Sequence, residues 1–226
     1  LYLLGGNLCV GGWNNADDAL TGGGEDPTTP WEDDIAGSDG FVFVQTPVTA
    51  NTAYVVTLFH DYADGTIEMW LNGDSIGSAP GAGRQYNHGG EIRIGQDESS
   101  YDQNGSTNAG DPFGGDVAAL SFNDASLNDF QRQLLHNALA AQYGITPAAN
   151  DLYAGDETAN GDFDFGVLGV GQIDAANRHT SASVGGLTIA NTGTLNDGDY
   201  LVLGSDQKAG SVTTTDVISG FGLEQR

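Results

Sequence analysis

Basic residues are scarce in this sequence: lysine and arginine together number 6, against 31 aspartates and glutamates, and the formal net charge is −25. A surface of that sign repels phosphate, which excludes nucleic acid and anionic membranes as partners. Cysteine is nearly absent as well. Cys9 stands alone, so no intrachain disulfide and no paired-thiolate zinc site can form, and its expected role is that of a small core residue. No apolar run is long enough to span a membrane, and the N-terminal LYLLGG is too short for a secretory leader and has no basic residues ahead of it. Because Leu1 opens inside an apolar run, the chain is expected to be a segment of a longer one, with neighbouring domains as its first partners.

Glycine and short acids are plentiful. There are 35 glycines, and 24 aspartates against 7 glutamates. That composition favours turns and bulges over helices and points to an all-β class. The acidity has two readings, a solvated or salt-adapted surface and a surface relieved by bound cations. Short carboxylates in Gly/Asn-rich loops are the donors hard ions such as Ca2+ use.

The clearest pattern runs from Ala53 to Gly77. Tyr54, Val56 and Leu58 alternate with Val55, Thr57 and Phe59; after a turn over 61–65, Ile67, Met69 and Leu71 alternate with Thr66, Glu68 and Trp70. Asn72-Gly73 has the residue types of a type I′ turn, so Asp74-Ser75-Ile76 should double back and complete a three-stranded meander. Upstream, LYLL and NLCV around Gly5-Gly6 form a strand pair, and Phe41 to Val44 is a further strand. Between them lies a Gly/Asp/Asn-rich loop holding Asn14 and Trp31. Downstream, the loop Gln96 to Gly115 carries Asp97, Glu98, Asp102 and Asp111, and alternation returns over Asp116 to Phe122. A loop this long inside a domain is functional or ordered by an ion.

Ser126 to Tyr143 is the one helix expected, capped by Ser126 with Asp129 and ended by Gly144 and Pro147. Its apolar positions Leu127, Phe130, Leu134, Ala138 and Ala141 suit an element sealing the end of a sandwich. Residues 146–151 read as a linker between a first domain, 1–147, and a second, 151–226. In the second, strands are expected at Val167 to Val170, Leu187 to Ala190, Tyr200 to Leu203 and Val212 to Thr214, a spacing that suits a small β-sandwich.

Catalytic constellations are not evident. Glu68 has Thr66 and Trp70 as its same-face neighbours, so the second carboxylate that glycoside hydrolysis needs is missing. His60, His88, His136 and His179 are scattered, and Gly169-Val170-Gly171 lacks the following helix of a dinucleotide site. The expectation is a protein that is not an enzyme.

The hairpin with its WLNGD turn and the later IRIGQDE strand end resemble the middle of a laminin-G-like or pentraxin-like domain of the concanavalin type, and FQRQLLHNALAAQYGI resembles the helix closing such domains. The runs FDFGVLGVGQID, SASVGGLTIA and LNDGDYLVLGSD are similar to an uncharacterised β-rich domain that follows laminin-G-like domains in bacterial secreted proteins. The resemblance implies a jelly-roll sandwich lacking its N-terminal strands, followed by a second β-sandwich truncated at its C-terminus. It also implies an extracellular, secreted or surface-attached protein that binds a glycan or another cell-surface protein. By position, Asp97 and Glu98 fall where pentraxin calcium ligands begin and Asp111 near the returning ligand, with Asp102 a spare donor. Trp13, Asn14 and Tyr101 are the expected ligand-binding residues. A purely structural cell-surface or filament module is the alternative, with a glycoside hydrolase behind it.

Overall fold

The computed structural model describes residues 2–4, 6–13, 41–61, 66–80, 114–123, 125–184, 186–206 and 221–225. These residues form mostly β-structure with a single α-helix, and the chain divides into two compact units. One comprises Leu1–Thr52, Leu58–Met69 and Ile76–Phe122; the other comprises Ala53–Thr57, Trp70–Ser75 and Asn123–Arg226.

In the first unit β1 (Tyr2–Leu4), β2 (Asn7–Trp13) and β3 (Phe41–Pro47) form an antiparallel sheet in that order. Gly6, at φ 85°, supplies the left-handed residue of the turn between the first two strands. Leu8, Cys9 and Val10 are consecutive and all buried, so β2 is covered on both faces. Cys9 is a core residue, as its isolation implied.

The meander is present as read. Strands β4 (Val56–Asp61), β5 (Thr66–Leu71) and β6 (Asp74–Pro80) are neighbours in that order. Asn72 at φ 50° and Gly73 at φ 91° provide the two positive angles of the turn between β5 and β6. Ile67 and Met69 are buried, and Glu68 is half-buried on the opposite face of the strand. The strand expected over Asp116 to Phe122 is not there. Those residues have no regular structure, and Val117, Leu120 and Phe122 are exposed.

The second unit is built on β7 (Phe165–Gln172), β8 (Arg178–His179), β11 (Tyr200–Ser205) and β12 (Phe221–Gln225), which form a sheet in the order β12-β11-β7-β8. A separate hairpin joins β9 (Ser181–Val184) to β10 (Leu187–Ala190). The expected strand at Val212 to Thr214 lies outside the described residues.

Helix α1 (Asp129–Tyr143) starts three residues later than expected. Its cap is Asn128, whose side chain accepts from the Gln131 N–H while the Gln131 side chain accepts from the Asn128 N–H. This reciprocal box replaces the expected Ser126–Asp129 cap; Asp129 is engaged elsewhere, its N–H on Asn177 Oδ1 and its carboxylate on Arg132. At the other end Gly144 adopts φ 62°, and the N–H groups of Gly144 and Ile145 bond to the carbonyls of Ala141 and Ala140, a Schellman closure.

The helix was expected to close the first domain; it packs on β7 of the second unit instead. A Cβ on Gly169 would lie 3.0 Å from Leu134, and one on Gly171 would lie 2.5 Å from the Phe130 ring. The two glycines are sockets for helix side chains, which explains a spacing that no dinucleotide motif accounted for. Phe130, Leu134, Ala141, Tyr153 and Val202 form the shared core. Nor do residues 146–151 behave as a linker. Ala148 N–H donates to Asn72 O, Asn137 Nδ2 donates to Asn150 O, and Asn150 Nδ2 donates to Gly73 O. The boundaries of the compact units therefore fall elsewhere than 147–151.

Candidate functional site

Asn14, Asp97, Glu98, Tyr101, Asp102 and Asp111 lie outside the described residues. Trp13 ends β2 and pairs in register with Phe41. Among the described residues no group of three or more histidines, cysteines and acids is placed to hold a metal ion.

The densest polar chemistry in the second unit lies along α1. Three polar side chains of this helix are buried: Arg132, His136 and Asn137. The Arg132 guanidinium lies 4.1 Å from the Trp70 ring centroid, and its Nη2 bonds Asp129 at 2.6 Å. One turn on, His136 Nε2 meets Thr57 Oγ1 at 2.5 Å. A hydroxyl against an imidazole is the pairing of a nucleophile with its base. Here the remaining chemistry is wrong for that task. Burial, and then the neighbouring Arg132 charge, hold the His136 pKa down to about 4, far below the range where a general base works near neutral pH. Its Nδ1 has no hydrogen-bond partner among the described residues, where a triad would place an orienting carboxylate. The pair is built to hold the segment Ala53–Thr57 against the helix.

At the helix start the contacts are structural too. Asp129 N–H donates to Asn177 Oδ1, and Asn128 Nδ2 donates to Arg178 O. Gln131 Oε1 is committed to the cap, so its Nε2 faces His179 Nδ1 at 3.1 Å and sets that nitrogen as the acceptor. Burial lowers the His179 pKa, which favours the same neutral ring.

Short polar side chains elsewhere close turns. Asn72 Oδ1 accepts from Val55 N–H, Asp174 accepts from the amides of Ala176 and Asn177, Asn191 accepts from Gly193, and Asp199 accepts from Asn196. The Asp174 and Asn191 contacts are Asx turns, for which these short side chains are suited, whereas Asn72 reaches a residue seventeen positions away and Asp199 accepts from an amide three residues before it. The Asp174 carboxyl is held below its ordinary value by the Asn177 side chain first and then by those amides. Asp156 and Asp164 go the other way. Burial raises both, and nearby carboxylates add to it: Asp151, Asp164 and Glu157 for Asp156, and Asp162 for Asp164.

None of the buried polar residues of α1 was singled out from the sequence as functional. Arg132 and His136 stand four apart, one turn of a helix, and that spacing was the one available signal. Among the described residues no helix is long and apolar enough to cross a membrane. No family model, no curated protein and no solved structure matches the chain.

Proposed function

We propose that the chain is a non-catalytic binding segment of an extracellular surface protein, built on a laminin-G-like jelly roll followed by a β-sandwich. It recognises a glycan or a cell-surface protein with the help of Ca2+. The observation that carries this reading is the charge pattern: a net −25 on a mostly β framework, with Asp97, Glu98, Asp102 and Asp111 falling within fifteen residues of sequence. Carboxylates crowded together repel, and a divalent ion turns that repulsion into attraction while ordering the loop.

Isothermal calorimetry with Ca2+, followed by a glycan array with and without the ion, tests it. Calcium at about 100 times its dissociation constant should stabilise the folded chain by about 2.7 kcal/mol. Asp97→Ala should abolish that gain, and glycan capture should require the ion. Absence of calcium binding at millimolar concentration would end the calcium reading.

A purely structural surface module is the second reading. It is favoured by the use of Asn72, Asn137, Asp174, Asn191 and Asp199 as backbone staples. Calcium binding without capture of any glycan or surface protein would support it over the first.

A further inference from the structure

Arg132 and His136 face the segments Ala53–Thr57 and Trp70–Ser75 from one side of α1, and they are 9% and 1% exposed. Arg132 Nη1 and His136 Nδ1 both lack a hydrogen-bond partner among the described residues. A neutral imidazole tolerates this place. An imidazolium would put a second buried cation one turn from Arg132 and leave a charged N–H donor unpaired. The surrounding groups offer it no relief. From β4 it is met by the uncharged Thr57, and from β5 the uncharged Trp70 stacks on Arg132. From β7 the helix is met at Gly169 and Gly171. On its own helix, Arg132 is the charge that acts on it, and the Asp129 carboxylate is 53% exposed and already bound to Arg132.

We infer that this face of α1 is an acid-sensitive latch: a proton taken up by His136 releases Thr57 and Trp70, and with them Ala53–Thr57 and the turn Trp70–Ser75, from the helix. The helix itself stays on β7, because Phe130, Leu134 and Ala141 grip a different core. The sign follows from where the proton prefers to be. An unlatched His136 titrates near the ordinary 6.5 and the latched one at about 4, so the latched form is fully favoured above pH 6.5 and loses ground as pH falls from 6.5 to 4. The whole change in the opening equilibrium is on the order of a few hundredfold.

The Ala148 amide reports the latch, since it donates to Asn72 O across the released turn, whereas the Leu152 amide donates to Asn137 Oδ1 and should not change. Amide exchange of the full chain, corrected for intrinsic rates, should show Ala148 losing protection between pH 6.5 and 4 while Leu152 keeps it. His136→Gln, which cannot take the proton, should hold Ala148 protection constant over that range. Constant protection in the wild type, or an equal loss in His136→Gln, overturns the latch. If His136→Gln does not fold, the wild-type ring decides by NMR: its titration must track the Ala148 loss, and a ring that titrates at 6.5 with Ala148 unaffected overturns it equally.

Discussion

The Phe130 ring occupies the space where a side chain at position 171 would begin: a Cβ on Gly171 would lie 2.5 Å from both Cε2 and Cζ of that ring. Glycine is required there by close approach, since β7 and α1 come together through it. Gly171→Ala should cost about 1–3 kcal/mol in urea unfolding through overpacking. Phe130→Ala should cost about 3–5 kcal/mol through the cavity it leaves. Because the two share one space, the double variant should be less destabilised than the sum of the singles. Strict additivity would mean that the ring does not rest on this glycine.

Asn137 is a second test of the same unit. Its Nδ2 donates to Gln133 O and Asn150 O, its Oδ1 accepts from Leu152 N–H at 2.7 Å, and it is 2% exposed. Asn137→Ala should strand the Leu152 amide and lower stability by about 1–3 kcal/mol. Hydrogen exchange at Leu152 should accelerate more than at Ala141. Equal acceleration at both would show a general loosening and not a lost staple.

Two aspartates should respond to pH with opposite sign. Asp156 is held above its ordinary 3.8, so ionising it works against folding. Its favourable contribution is full below 3.8 and is lost as pH rises through the folded value. Asp156→Asn should therefore raise Tm at pH 7, with the gain vanishing below 3.8. Asp174 is held below 3.8, so its contribution is present above that value and lost as pH falls through the folded one. Asp174→Asn should lower Tm at pH 7, and calorimetric melting of both variants from pH 3 to 7 checks the pair.

How far the sequence could be read depended on whether a pattern was local. The Ala53 to Gly77 meander was legible because a period of two and an Asn-Gly turn are complete within 25 residues. The helix was legible too, since Phe130, Leu134 and Ala141 keep one stripe and Gly144 stops it. Its partner was not, because a stripe says that a helix has a core without saying whose. Arg132, His136 and Asn137 were hidden for a related reason. Polar residues are assigned to solvent by default, and the partners that offset their burial include Trp70, Thr57 and Leu152, which no local pattern links to the helix. Asp116 to Phe122 misled in the opposite sense: alternation there satisfied the strand template without a strand. The expected calcium ligands lie outside the described residues.

The second unit is assembled from three separate stretches of chain. On a ribosome, Trp70–Ser75 emerges well before α1, and at about 5–20 residues per second the turn must wait several seconds for the helix it will meet. Through that interval Trp70 has no Arg132 to cover it and Thr57 no imidazole. The Thr57–His136 contact spans 79 residues, and contacts so distant in sequence pay a loop-closure cost before they form. A fragment starting at Asn123 would carry the helix, the sheet and the sockets at Gly169 and Gly171, yet would present Arg132 and His136 to water as an unfilled seat.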